Sequence, residues 1–228
     1  MRHAPFTLGR ILAIAFAAPM VIALAVGIGP EHSLQWWTLS ALSRNAWASL
    51  ALAANTAILV LAASVLPERR AVPAAIGFVA GSWATWAVIG TQGMLTCLPA
   101  HMLALLAATG TIALRAWTKR LCSNPLDAAG ATLLLTAVAL GAGLAIGPAL
   151  PLVPAWLIDL TLRINPVVAV TAAAGIDLLR MDVFYSLTPV AHWSFNYPST
   201  IASFALFGGV AAVLASCHLA LDRLVRRR

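Results

Sequence analysis

Residues 46–90 read AWASLALAANTAILVLAASVL-PERR-AVPAAIGFVAGSWATWAVIG. Two apolar runs, Ala46–Leu66 and Ala71–Gly90, contain no charged residue and are separated only by Pro67-Glu68-Arg69-Arg70. At about 1.5 Å per residue, a helix of about 20 residues crosses the ~30 Å hydrocarbon core of a bilayer. The stretch therefore predicts two membrane-spanning helices joined by a tight, charged connection. Four further runs of similar length flank it: Ile11–Ile28, Leu95–Leu114, Ala128–Leu150 and Ser199–Leu221.

Composition agrees with these runs. Of 228 residues, 61% are hydrophobic and 9% are charged, where soluble domains carry roughly 25% charged residues. Mean hydropathy is +0.92, so lipid must act as solvent for much of the apolar surface. The expected fold is all-α: one transmembrane domain over residues 1–228, with about six spans. The apolar part of the first run, roughly 18 residues, exceeds the 7–15 of a signal-peptide core. It is expected to be a retained span.

Orientation follows from the basic residues. With the N-terminus inside, the inner segments hold Arg2, Arg10, Arg69, Arg70, Arg115, Lys119, Arg120, Arg223, Arg226, Arg227 and Arg228, 11 of the 14 basic residues. Arg44, Arg163 and Arg180 remain outside. This obeys the positive-inside rule and predicts a cytoplasmic (inner) membrane location with both termini in the cytoplasm. Trp36, Trp37, Trp47, Trp156 and Trp193 fall near the outer interface and Trp117 near the inner one, as indole rings prefer. Trp83 and Trp86 lie deeper and read as packing residues. The net charge of +7 sits in short clusters at run ends, without the basic stripe of a nucleic-acid binder, so no nucleic-acid partner is expected.

Chemistry-bearing residues are sparse within the spans. His101 is the clear ionisable exception, with His218 near the inner end of the last span, which argues against ion-coupled transport. A bis-histidine haem would need a second histidine at the depth of His101, and no cofactor is expected. Cys97, Cys122 and Cys217 have neither CxxC nor zinc-type spacing, and no metal site is expected. Gly77/Gly81 and Gly143/Gly147 form GxxxG pairs that allow close helix approach.

The segment Pro151–Pro198 differs from a simple loop. It is apolar, broken by prolines, and holds Asp159/Arg163 four apart and Asp177/Arg180 three apart, spacings that allow pairing on a helix face. Asn165-Pro166 reads as a helix start, with Asn as cap and Pro at the first helical position. The run it opens is too short to cross a bilayer. A pair of short helices in or on the outer leaflet is expected between spans five and six. Asp177, Asp182 and His192 also permit a second reading, an outer-face acid–base or metal site, although no nucleophile elbow or HExxH accompanies them.

The six-run topology with this outer pair resembles the permease subunits of ABC exporters of the drug and polysaccharide type. The residues that carry it are Leu150-Pro151, Trp156-Leu157, Asn165-Pro166 and Leu178-Leu179-Arg180. The resemblance implies a transmembrane permease subunit of an ATP-driven exporter, working as a homo- or hetero-oligomer in membrane lipid with a separate cytoplasmic ATPase. The chain has no GxxxxGK[ST] loop of its own and is not expected to be an enzyme by itself. Two family features are missing: an amphipathic helix before the first span and a long coupling segment between spans two and three. Glu68, Arg69 and Arg70 occupy the latter place, with Arg115, Lys119 and Arg120 as further inner-face contacts. The sequence names no substrate. A non-catalytic scaffold subunit held by its GxxxG faces remains the other alternative.

Overall fold

A computed structural model describes residues 8–27, 41–89, 93, 95–146, 153–178 and 196–226. Among these residues the fold is all-helical, without strands: α1 Leu8–Gly27, α2 Ala41–Val65, α3 Glu68–Ile89, α4 Leu98–Leu121, α5 Pro125–Ile146, α6 Ala155–Ile164, α7 Pro166–Ala173 and α8 Thr200–Arg226. Five of them, α1, α2, α3, α4 and α8, are long and apolar enough to cross a membrane; counting the bent α6–α7 pair as one span gives six. In α5 the apolar helix runs from Pro125 to Gly141, and its backbone continues to Ile146.

Local chemistry sets the boundaries. Asn124 Oδ1 accepts from the Leu126 amide at 3.0 Å, capping the turn that Pro125 opens, and Asp127 complements the positive N-terminal end of α5. Lys119 and Arg120 occupy the last turn of α4, where the dipole favours cations. The fourth run was expected to end at Leu114, with Arg115–Asp127 as a loop; instead α4 continues seven residues further. Arg115, Trp117, Lys119 and Arg120 are therefore helical, because their aliphatic stems and amphipathic rings can extend a helix through an interface. Likewise α3 begins at Glu68, so Leu66-Pro67 alone joins it to α2.

Contacts fix the directions. Trp47 Nε1 donates to the Ala23 carbonyl at 2.7 Å, tying the start of α2 to the end of α1. Positions Gly77 and Gly81 of α3 face Leu12 and Phe16 of α1 in rising order, so α1 and α3 run parallel. Leu106 lies near Gly208 and Ala211 near Gly110, while Trp117 Nε1 donates to the Leu214 carbonyl at 2.8 Å; α4 and α8 are thus parallel. The start of α1, the α2–α3 and α4–α5 connections and the end of α8 consequently share one end of the bundle. Arg10, Arg69, Arg70, Arg115, Lys119, Arg120, Arg223 and Arg226 gather there.

Burial grades the helices. In α2, 61% of the apolar window is buried, against 6% in α8 and 17% in α1. The outward faces of α1, α5 and α8 carry Ile14, Val21, Leu134, Val138, Ile201 and Val213, all exposed, a pattern suited to lipid. Several hydroxyls inside the helices bond to carbonyls one turn back, as Thr56 does to Leu52 at 2.8 Å and Thr111 to Ala107 at 3.0 Å, which satisfies them without water.

The tightest seam joins α1 and α3. A Cβ placed on Gly81 would lie 2.8 Å from the Phe16 carbonyl carbon, and one on Gly77 3.0 Å from the Leu12 oxygen. The expected glycine contact is therefore made within the chain. Gly147 of the second pair lies outside the described residues, as does the side-chain environment of Gly143.

Candidate functional site

The central feature is the break between α6 and α7. The chain bends by 77° between the two helices, and a single residue, the cap Asn165, joins them. Asn165 Oδ1 accepts from the Val167 amide at 2.9 Å and the Val168 amide at 3.3 Å. Its Nδ2 donates to the Leu140 carbonyl of α5 at 2.9 Å, and the residue is 4% exposed. Pro166 follows at the first helical position, where a missing N–H is harmless. Buried non-helical backbone must find its hydrogen-bond partners within the protein or in water, and one amide side chain meets much of that requirement here.

Pro166 lines a cavity of about 210 Å³ with Val60, Thr111 and Thr136. Thr111 and Thr136 stand midway along α4 and α5, which puts the break at mid-height. From there α7 packs against α2 and α4, with Val168, Ala169, Val170 and Thr171 buried. Its C-terminus closes through Ile176 N–H to the Thr171 carbonyl and Gly175 N–H to the Ala172 carbonyl, both 2.9 Å. Gly175 takes φ +73°, the left-handed conformation this closure requires and glycine tolerates.

Asp177 then accepts a hydrogen bond from the Tyr197 hydroxyl. Tyr197 precedes α8, whose start lies at the end opposite the basic cluster, and α6 follows the far end of α5. The pair therefore descends from one end of the bundle to its middle and returns to the same end. A pair of short helices in or on the outer leaflet was expected on this stretch; the break between them lies at mid-height of the bundle.

The polar residues singled out on this segment fare differently. Asp159 and Arg163 lie on α6, half-buried and exposed respectively, but do not form the ion pair that their spacing allowed. Arg180, Asp182 and His192 lie outside the described residues, so the Asp177/Arg180 pair and the outer acid–base grouping do as well. Among the described residues no three His, Cys, Asp or Glu side chains come together to hold a metal ion.

Sequence reading missed a second polar locus. His101 is 2% exposed, and its Nδ1 donates to the Cys97 carbonyl at 2.8 Å. Trp86 meets the His101 ring edge-on at a centroid distance of 6.4 Å. One turn before Trp86, Ser82 Oγ accepts from Asn55 Nδ2 at 3.4 Å. Three buried atoms here, His101 Nε2, Trp86 Nε1 and Asn55 Oδ1, have no hydrogen-bond partner. The locus draws on α2, α3 and α4, and the available signal was Asn55, a lone amide within an apolar run.

At the basic end three cations, Arg115, Lys119 and Arg120, are committed within the chain. Arg115, expected as an exposed contact, is 9% exposed and donates to the Leu66 carbonyl, capping the end of α2. Lys119 pairs with Glu68 at 3.6 Å. Arg120 pairs with Asp222 and donates to the His218 carbonyl at 3.2 Å. Arg69 and Arg70, in the first turn of α3, are exposed. Compared with known protein families, with curated proteins and with solved structures, the chain matches none.

Proposed function

We propose that this chain is the membrane-spanning permease subunit of an ATP-driven exporter of the ABC type. In this reading α1–α5 and α8 are six spans in the inner membrane, the basic end is cytoplasmic, and α6–α7 re-enters from the outer side. A separate ATPase subunit docks at the cytoplasmic end, and two permease copies or two related chains form the path. The observation that supports the reading is the capped mid-height break between α5 and α8. Transporters use discontinuous helices of this kind to place binding groups near the bilayer midplane. The scarcity of ionisable groups within the spans favours an apolar or amphipathic cargo over an ion.

The two competing readings lose support on specific residues. A scaffold held by GxxxG faces needs those faces free, and Gly77 and Gly81 are already spent on α1. An enzyme acting through Asp177 needs that carboxylate available, and Tyr197 engages it.

The test is extraction into lipid nanodiscs with mild crosslinking, then ATP hydrolysis and substrate efflux in proteoliposomes. A partner bearing a GxxxxGK[ST] loop should be retained, and reversal of Arg69 and Arg70 to Glu should release it while leaving insertion intact. If no ATPase is retained after crosslinking, the exporter reading fails and the scaffold reading replaces it.

A further inference from the structure

The groove on the membrane-facing side of α1, α2 and α3 belongs to neither the helix break nor the buried polar locus. It encloses about 400 Å³, and its walls include Ile14, Ala18, Ile58, Ala62, Ala74 and Phe78. Among the described residues Arg70 is the only charged one in the lining. Alanines carve the groove: where three helices meet on small side chains, the ridges are too low to close the space between them.

We infer that this groove holds one acyl chain of an anionic phospholipid, with the phosphate on Arg70. Three observations support the assignment. The first is shape. From Arg70 to Phe78 is eight residues, or ~12 Å along the helix. The groove is open along one side and lined by apolar side chains over that length, a shape along which an extended hydrocarbon chain can lie.

The second is charge. Glu68 is paired with Lys119 and Asp222 with Arg120, and Asp127, in the first turn of α5, forms no ion pair with Arg70. The Arg70 side chain makes no hydrogen bond or ion pair among the described residues. The third is position. Arg70 stands at the basic end of the bundle, where a headgroup lies when the tail runs along the spans, and basic pockets between helices at this level suit anionic headgroups. The inference goes beyond the transport reading and requires only that the chain lies in a bilayer.

Native mass spectrometry of the isolated chain, with phosphatidylglycerol and phosphatidylcholine of matched chains in competition, tests it. One phosphatidylglycerol per chain should be retained in preference to phosphatidylcholine. Arg70→Gln should lower that preference about fivefold, the effect of one basic group near an anionic surface, and Arg70→Lys should retain most of it. Ala62→Phe, which fills the groove, should remove both lipids. The assignment is overturned if Arg70→Gln leaves the preference unchanged. It is equally overturned if Ala62→Phe dissociates an oligomer without altering the lipid count, which would make a second copy of the chain the occupant. Because no ATPase takes part, failure here is distinct from failure of the exporter reading.

Discussion

Asn165 offers the sharpest perturbation, because one side chain performs two separable tasks. Its oxygen caps α7 and its nitrogen ties the break to α5. Asn165→Ala removes both and leaves the Val167 and Val168 amides without an acceptor in a site that is 4% exposed. A stranded buried donor costs about 1–3 kcal/mol and a lost cap about 0.5–2 kcal/mol; since these describe overlapping losses, the expected cost is about 2–4 kcal/mol. Asn165→Ser keeps an acceptor for the cap and loses only the tie, an interhelical bond of about 0.6 kcal/mol by the average for such bonds in membranes.

The assay is amide hydrogen exchange in nanodiscs, which reads local opening of α7 directly. Exchange at Val167–Val170 should accelerate ~30- to ~900-fold in the alanine variant at RT of about 0.59 kcal/mol, and only about threefold in the serine variant. Equal acceleration in the two variants would refute the capping argument. Acceleration spread evenly over α2 and α4 would refute α7 as a separate opening unit.

Substitutions at Gly81, Gly130 and Asp177 have separate expected outcomes. Gly81→Ala should destabilise the bundle by about 1–3 kcal/mol through overpacking, measured as the midpoint of unfolding in mixed micelles. Phe16→Ala should not rescue it, since the obstruction is backbone; Gly130→Ala, with open space around it, should be neutral or stabilise by up to about 1 kcal/mol. Asp177→Asn keeps an oxygen that can accept from the Tyr197 hydroxyl, so under the exporter proposal efflux from proteoliposomes should persist at normal protein level. Loss of transport at normal protein level would restore the outer-face catalytic reading.

What the sequence disclosed was mainly chemistry local to the chain. Asn165-Pro166 could be read as a helix start because a cap needs only its own next three residues. Gly77/Gly81 could be read as a contact because spacing alone decides which side of a helix is flat. The short α7 was legible from its length, but its descent to mid-height depends on Thr111, Thr136 and Leu140, which belong to other helices. Asp159/Arg163 shows the limit of spacing arguments, since i,i+4 geometry permits a pair without requiring one. Arg115 was misjudged as exposed for a related reason. Its partner, the Leu66 carbonyl, is an unsatisfied helix end 49 residues away, and nothing in the sequence around Arg115 indicates it. The Asn55–Ser82–Trp86–His101 locus likewise draws one or two residues from each of three helices, so no single window contains it.

The re-entry of α6–α7 is the central structural claim, and single-cysteine labelling from each side of sealed vesicles tests it most directly. With Cys97, Cys122 and Cys217 replaced, reporters at Pro154 and Asp177 flank the pair and one at Ser123 marks the α4–α5 connection; all three positions are exposed. The account predicts that Pro154→Cys and Asp177→Cys react with an impermeant maleimide from one side and Ser123→Cys only from the other. Labelling of Pro154→Cys and Asp177→Cys from opposite sides would make α6–α7 a broken span and contradict the account.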